Sequence, residues 1–118
     1  MLLRLRGGEP LKKLKFNELL QSSNHPAAFN DKLLNALAEI VKKYNITSIL
    51  DRFAGIGKIG LLRHRVDNRK LFIVGIEIEK PWAYYAVNLL DEVYWGDSNK
   101  INKSKHNIFN KRFDAEIT

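Results

Sequence analysis

Residues 49–60 read ILDRFAGIGKIG, and this stretch decides the fold that the rest of the chain is expected to adopt. A short apolar run ends at the acid Asp51, and a glycine-rich turn follows it. Gly55, Gly57 and Gly60 can take the positive φ angles of a tight turn, and their missing Cβ atoms let a ligand approach the backbone. The stretch therefore predicts a buried strand that runs through this turn into a helix.

Strands and helices are predicted to alternate around this turn. Apolar residues at three- and four-residue spacing, with Asn30 placed to cap and Asn45 placed to end the element, predict a helix over residues 31–44. Short apolar runs predict strands at 47–50, 71–76, 92–95 and 113–118, and helical segments are expected at 59–65 and 82–90. This alternation indicates an α/β domain with a parallel sheet.

The composition limits the class of protein. With 118 residues, 45% apolar and 28% charged, the chain suits one small globular domain. Residues 1–24 are predicted to be a lead-in, in which Leu2, Leu3 and Leu5 are compatible with a short strand, and residues 25–118 the ligand-binding part. No apolar run is long enough to span a membrane and none resembles a signal peptide, so we expect a cytoplasmic protein.

A structural metal is not expected. The chain has no cysteine, which excludes disulfides and thiolate metal sites. Its three histidines, His25, His64 and His106, lie too far apart in the sequence to form a local pair of ligands.

The net charge of +7 is concentrated in the two flanks of the chain. Residues 1–45 carry an excess of four basic residues and residues 99–118 an excess of three, whereas residues 46–98 are neutral. This distribution suits a small-ligand site beside a surface for an anionic polymer such as nucleic acid. Residues 99–112 contain five basic residues and no acid, and they form either a nucleic-acid contact or a solvated connection.

The glycine pattern leaves several ligands open. Read literally, G-x-G-x-x-G with Glu77 at the distance of a ribose acid suggests a dinucleotide, and an ordinary left-handed turn is the alternative. Asp51, four residues before Gly55, would repel a pyrophosphate and favour a cationic group instead. S-adenosylmethionine carries an ammonium and a sulfonium but no phosphate. This preference depends on the Asp51 carboxylate facing the ligand crevice.

Residues 51–57 carry a family resemblance. Their D-x-F-A-G-x-G pattern resembles motif I of class I S-adenosylmethionine-dependent methyltransferases, in the form common among DNA amino-methyltransferases. The resemblance implies that S-adenosyl-L-methionine is the cofactor, and the residues of this motif implied to bind it are Asp51, Phe53, Ala54, Gly55 and Gly57. Arg52 departs from the pattern, because the family usually has proline there.

Two later motifs extend the resemblance. Gly75-Ile76-Glu77 resembles the second motif, which implies that Glu77 takes the ribose hydroxyls and that Ile78 contacts the cofactor. Glu79 is the substitute if the strand ends later. Gly96-Asp97 resembles the third motif, which implies that Asp97 accepts from the adenine amino group; capping of the next element is its alternative role.

The resemblance implies an incomplete Rossmann-like parallel sheet with flanking helices. Its strand order is expected to be 3-2-1-4, counted from the strand at 47–50, with the ligand crevice at the carboxyl ends of strands 1 and 2. Strand 4, at 113–118, would lead into the fourth motif and would form an open edge. A second chain or a C-terminal continuation is expected to complete the sheet.

The implied activity is methyl transfer to an exocyclic amino group of adenine or cytosine in DNA, by a phage or bacterial enzyme. The family's fourth motif, an Asp, Asn or Ser followed by two prolines and an aromatic residue, would lie beyond Thr118. This chain is therefore expected to hold the donor site, and no catalytic residue is predicted in it. The alternatives are a catalytically inactive nucleic-acid-binding module with the same fold, and a fragment of an RNA or protein methyltransferase.

Further candidates have simpler interpretations. Lys58 lacks the spacing and the following Ser or Thr of a phosphate-binding loop. Trp82, Tyr84 and Tyr85 are predicted to pack on the sheet rather than to flank an adenine. His25, in a His-Pro pair before the helix at 31–44, is a weaker candidate for a ligand contact.

Overall fold

The computed structural model describes residues 2–5, 30–67 and 70–118. In this part of the chain five strands form one sheet: β1 (Leu3–Leu5), β2 (Ser48–Asp51), β3 (Phe72–Glu77), β4 (Glu92–Trp95) and β5 (Ala115–Ile117). Two α-helices and three 3₁₀ helices accompany it: α1 (Asp31–Tyr44), α2 (Lys80–Ala86), Lys58–Arg65, Ser98–Lys103 and Asn107–Asn110. The mixed α/β class is confirmed.

The strand order is β1-β4-β3-β2-β5, which differs from the prediction by one added strand: β4, β3, β2 and β5 stand in the predicted order 3-2-1-4, and β1 lies outside them. Strands β2 to β5 run parallel to one another, and β1 is added beside β4 in antiparallel orientation. The proposed short strand near the start of the chain is thereby confirmed, and its place in the sheet was not predicted. Tertiary contacts determine that place: Arg4 pairs with Glu92 at 3.2 Å, and the Leu2 carbonyl lies 2.9 Å from Nε2 of His106.

Helix α1 has the bounds that the sequence predicts. The Asn30 side chain accepts a hydrogen bond from the Leu33 N–H at 2.9 Å, and Asn45 ends the helix with a φ of 55°. The side of the helix that faces the core contains Leu34, Ala38 and Val41. Other apolar residues of the helix, Leu33, Ile40 and Tyr44, belong to the same three- and four-residue spacing but are exposed.

The two shorter helical segments differ from their predictions. Residues 58–65 form a 3₁₀ helix, because the turn that starts it already has i to i+3 bonds, such as that from the Gly60 N–H to the Gly57 carbonyl at 2.9 Å. Helix α2 begins next to Pro81 but ends at Ala86, four residues earlier than expected. The next residues continue in turns, in which the Leu89 N–H bonds the Ala86 carbonyl at 2.9 Å.

Core residues lie on both faces of the sheet, because successive strand residues point to opposite sides. The first face packs against α1, α2 and the 3₁₀ helix at 58–65, and its central-strand residues are Ile49, Ile73 and Val93. The second face is covered by residues 98–113, and its central-strand residues are Leu50, Val74, Ile76 and Tyr94. Because β2, β3 and β4 pair in parallel, their carboxyl ends lie side by side at one edge of the sheet.

Strand β5 forms the other edge of the described sheet and pairs with β2. The side chain of Asp114 fixes its start, because one carboxylate oxygen accepts from the N–H and the hydroxyl of Thr47 at 2.8 and 2.9 Å. The predicted boundary between residues 24 and 25 lies outside the described residues. Among the described helices, none is long and apolar enough to cross a membrane.

Candidate functional site

Two carboxylates end neighbouring parallel strands. Asp51 is the last residue of β2 and Glu77 the last of β3, and Asp51 is in register with Gly75. Because parallel strands present their carboxyl ends at one edge of a sheet, both acids belong to the edge at which α/β sheets bind ligands. Both are buried. Glu79, considered as the substitute for Glu77, is exposed beyond the strand.

The Glu77 carboxylate joins two turns of this edge. Its Oε1 accepts from the Gly55 N–H at 2.8 Å, and its Oε2 accepts from the Glu79 N–H at 2.6 Å. The Glu77 carbonyl also accepts from the Gly96 N–H at 3.0 Å, which attaches the turn after β4. A buried carboxylate needs such donors to compensate for the water it has lost. Glu77 thus organises all three turns of the edge.

Only one of the two carboxylate oxygens of Asp51 accepts a hydrogen bond from a described residue. Its Oδ1 accepts from the Phe53 N–H at 3.0 Å, within its own turn. Its Oδ2 is buried and has no hydrogen-bond partner among the described residues. Desolvation by burial raises the pKa of Asp51 from 3.8 to about 6; the Phe53 N–H lowers this pKa and the charge of Glu77 raises it further. A cation placed at Oδ2 would remove much of the cost of burying this charge.

The glycines of the turn have two different surroundings. Gly55 and Gly57 adopt φ angles of 56° and 86°, which confirms the predicted positive φ at both, whereas Gly60 lies in the 3₁₀ helix and has no positive φ. A Cβ on Gly55 would meet no heavy atom of the described chain within 4 Å. A Cβ on Gly57 would lie 2.9 Å from Cα of Ala86, and one on Gly60 would lie 2.3 Å from the carbonyl oxygen of Leu89. Of these three glycines, only Gly55 faces space that the described residues leave unfilled.

Two apolar side chains are exposed beside the acids. Phe53 follows Asp51 in the turn and is 50% exposed, and Ile78 follows Glu77 and is 62% exposed. The indole N–H of Trp95 donates to the Ile78 carbonyl at 3.1 Å and holds the backbone of this turn. In ligand sites of this kind, exposed apolar side chains contact a flat ring, and neighbouring carboxylates accept hydrogen bonds from the polar groups of the ligand. Ala54, predicted with them as a cofactor contact, is buried, and its N–H donates to the Ile76 carbonyl at 3.0 Å.

Asp97 acts as a cap in this structure. It precedes the 3₁₀ helix Ser98–Lys103, and its Oδ1 accepts from the Asn99 N–H at 2.9 Å. This is the alternative role named for it from the sequence. Gly96, directly before it, has a φ of 152° and places the turn at the same edge as Glu77 through the hydrogen bond between the two backbones.

The other candidates lie apart from this edge or pack beside it. Trp82, Tyr84 and Tyr85 are half-buried, and Tyr84 contacts the core of the first face, which agrees with the packing prediction. Lys58 is half-buried at the start of its 3₁₀ helix. His25 lies outside the described residues.

Sequence reasoning missed the role of Gly75. A Cβ at this position would lie 2.7 Å from Cβ of Ala54 and 2.5 Å from Cδ1 of Leu90, so the absence of a side chain lets the glycine-rich turn pack on β3. An isolated glycine inside a strand pattern is the signal that could have identified it, because such a glycine often marks the close approach of another segment.

The protein is a mixed α/β protein with a mostly parallel sheet. Two buried carboxylates and a glycine-rich turn lie at the carboxyl ends of its central strands. No family model, curated protein or solved structure matches the chain. Its resemblance to methyltransferases and its Rossmann-like character therefore stay predictions. The described residues contain no group of three or more His, Cys, Asp or Glu side chains that could hold a metal ion.

Proposed function

We propose that the carboxyl edge binds S-adenosyl-L-methionine, and that the chain is the donor-binding part of a DNA methyltransferase acting on an exocyclic amino group of adenine or cytosine. The observation that carries this proposal is the buried Oδ2 of Asp51, which lacks a partner among the described residues. A buried, unpaired carboxylate oxygen is costly unless a cation or a donor meets it. The ammonium of the cofactor has the required charge.

The surrounding residues fit the rest of the cofactor. No heavy atom of the described chain lies within 4 Å of the position that a Cβ on Gly55 would take, which leaves room for the methionine part beside the turn. Each Glu77 oxygen accepts one backbone N–H and keeps a second lone pair, which suits the two hydroxyl donors of a ribose. Phe53 and Ile78 supply apolar surface for the adenine, and Asp97 lies at the end of the neighbouring strand to accept from its amino group.

When bound, the cofactor supplies a methyl group activated by a sulfonium. In this proposal the chain orients that donor and keeps water from the Asp51 and Glu77 carboxylates, and positioning of this kind is a main source of rate acceleration. We assign no catalytic residue to the described chain. Groups that hold the acceptor base are assigned to a second chain or a continuation that pairs with β5, and the proposed location is the cytoplasm.

Isothermal titration with S-adenosyl-L-methionine tests the proposal. Asp51→Asn keeps the acceptor for the Phe53 N–H but removes the charge, so we expect binding weaker by roughly 10- to 100-fold, as for the loss of a charged hydrogen bond. Phe53→Ala should weaken binding by roughly tenfold, the usual value of one aromatic contact. Phe72→Ala, a similarly exposed aromatic change at the opposite end of β3, is the control and should leave binding unchanged.

The pH dependence adds an independent check. A bound cation favours ionised Asp51, whose pKa is about 6 in the free protein. Binding should therefore weaken as the pH falls below about 6, and this trend should disappear in Asp51→Asn. Absence of heat at high cofactor concentration with a folded protein, or equal effects of Phe53→Ala and Phe72→Ala, would contradict the proposal.

A second function is favoured by one observation, namely that Glu77 is only 3% exposed and that both its oxygens already bond backbone groups. Such a carboxylate can act purely as a structural element. The chain would then be a nucleic-acid-binding module that keeps the fold without the donor. DNA retention that cofactor does not alter, together with a flat titration of cofactor, would favour this function over the first.

A further inference from the structure

The second face of the sheet is covered by residues 98–113, named here the cover segment. Its apolar side chains turn inward and pack, partly buried, on the cluster around Tyr94; they are Ile101, Ile108, Phe109 and Phe113. Tyr94 makes edge-to-face contacts with the rings of His106 and Phe109, at centroid distances of 4.7 and 4.8 Å. His106 Nε2 lies 2.9 Å from the Leu2 carbonyl, which attaches the segment to the strand at the sheet edge. Its backbone is thus held in place although it contains only short 3₁₀ helices.

The outer side of the cover segment is polar and basic. Five cationic side chains are exposed on it, namely Lys100, Lys103, Lys105, Lys111 and Arg112. Four exposed amides lie between them, namely Asn99, Asn102, Asn107 and Asn110. The segment contains no acidic residue. A one-sided arrangement of this kind presents fixed positive charge together with hydrogen-bond donors.

Acids at the borders of the cover segment are engaged within the fold. Asp97 accepts from the Asn99 N–H, and Asp114 accepts from the Thr47 N–H and hydroxyl. Glu116 forms an ion pair with Arg52 at 3.5 Å. These acids are fixed by partners at the two ends of the segment, so its five cations are not paired with them. Within the described chain no ion pair involves these five cations, so their field extends from this surface into solvent.

We propose that the cover segment binds the phosphate backbone of a nucleic acid. Lysine, arginine and asparagine are the side chains that contact phosphate and sugar oxygens, and the spread of cations along one face suits a linear polyanion. An anionic membrane is disfavoured, because none of the large exposed apolar side chains in the described chain belongs to this segment, and an interfacial element needs such groups to insert.

This inference extends the proposed function and rests on it for one point, namely which nucleic acid accepts the methyl group. Binding to the cover segment is measurable without cofactor, however. The donor site is at the carboxyl edge and the cover segment is on the second face, so each can fail without the other.

Fluorescence anisotropy with a short duplex DNA between about 50 and 200 mM salt tests the proposal. Affinity falls as salt rises, and each phosphate that the protein neutralises makes the slope of log affinity against log salt steeper by about 0.9. Lys103→Gln combined with Lys105→Gln should reduce that slope by about 2 and weaken binding by roughly tenfold at the lower salt concentration. The matched control is Lys32→Gln combined with Lys43→Gln, two exposed lysines on α1, which packs on the first face. It removes the same charge and should change the slope much less.

Three results would overturn the proposal: no binding of duplex or single-stranded DNA or RNA at about 50 mM salt, equal losses in the two double variants, or capture of phosphatidylserine vesicles without capture of nucleic acid. Preference for RNA over DNA supports the surface and contradicts DNA as the acceptor. The two double variants and the unchanged protein should have equal midpoints of thermal unfolding. A difference in anisotropy then reports a change in binding and not a loss of folding. Calorimetry with the cofactor on the same samples separates failure of this surface from failure of the donor site.

Discussion

The two sides of the glycine-rich turn show how one residue type meets different physical demands. On the packed side, Gly57 and Gly60 let the turn and its 3₁₀ helix lie directly against Ala86 and Leu89. On the open side, Gly55 has a left-handed φ, and no described residue lies within 4 Å of the point where a side chain would begin. The packed side is therefore explained by the fold alone, whereas on the open side the described residues leave space beside Gly55 that a ligand could fill.

This difference changes how the G-x-G-x-x-G pattern is interpreted. All three glycines fit the pattern equally well, so the sequence alone indicates a nucleotide-binding role for each of them. In the structure, two of the three are required by close packing of the chain on itself. Evidence for a ligand then comes from fewer residues, chiefly Gly55 and the Asp51 carboxylate that precedes it.

The largest expected effect is on the packed side. In Gly60→Ala the new methyl group would overlap the Leu89 carbonyl oxygen, so the backbone of the turn or of residues 87–90 must move. We expect the free energy of unfolding to fall by about 3 kcal/mol or more, as in strongly overpacked sites. Urea unfolding followed by circular dichroism measures it. A loss below about 1 kcal/mol would show that the two segments do not pack as described.

A smaller effect is expected from Asp51, which precedes the same turn and whose Oδ1 accepts from the Phe53 N–H. Its pKa is raised in the folded protein, so protonation stabilises the fold: this contribution is fully present below the unfolded value of 3.8 and is lost as the pH rises through about 6. The free energy of unfolding of the unchanged protein should fall relative to that of Asp51→Asn by up to about 3 kcal/mol between about pH 4 and pH 8.

The free energy of unfolding of the unchanged protein minus that of Asp51→Asn isolates the contribution of Asp51, because the other groups that titrate in the same pH range are present in both proteins. Asp114 contributes with the opposite sign and at lower pH, because the hydrogen bonds from Thr47 lower its pKa. A difference that does not change with pH would mean that Asp51 is well solvated, and it would remove the electrostatic basis of the cofactor proposal.

The smallest effect on stability is expected at Gly55. An alanine there keeps its neighbours undisturbed and loses only the ease with which glycine adopts a φ of 56°. We expect a loss of about 1 kcal/mol in the free energy of unfolding. Its methyl group would nevertheless occupy the open space, so cofactor binding should fall much more than stability does. If Gly55→Ala binds the cofactor normally, the open side is not the binding surface.

Local patterns in the sequence predicted several elements well. Helix α1 and strand β4 have their predicted bounds, and the turn has its positive φ angles, because caps, short apolar runs and glycines act within a few residues. The side of α1 that is buried could not be predicted in the same way. Apolar residues surround much of this helix, and only its neighbours in the fold decide which of them are covered.

The place of β1 shows the same limit for the sheet. Three residues have little strand preference of their own, and Leu3–Leu5 are fixed by register with residues about ninety positions later. The role of Glu77 was likewise only partly predicted. The sequence indicated an acid at the end of a strand, but the two N–H groups that the carboxylate accepts from come from separate turns, which only the folded chain brings together.

By itself, the sequence determined the alternation of strands and helices, the glycine-rich turn and the two acids that end β2 and β3, since these depend on periodicity and on residue type at short range. Tertiary structure alone decided the place of β1 in the sheet, the division of the glycines into packed and open, and the hydrogen bonding of only one of the two Asp51 carboxylate oxygens. The reason is physical: hydrogen bonds and excluded volume between distant segments exist only after the chain has folded, and no local pattern encodes which segments will meet.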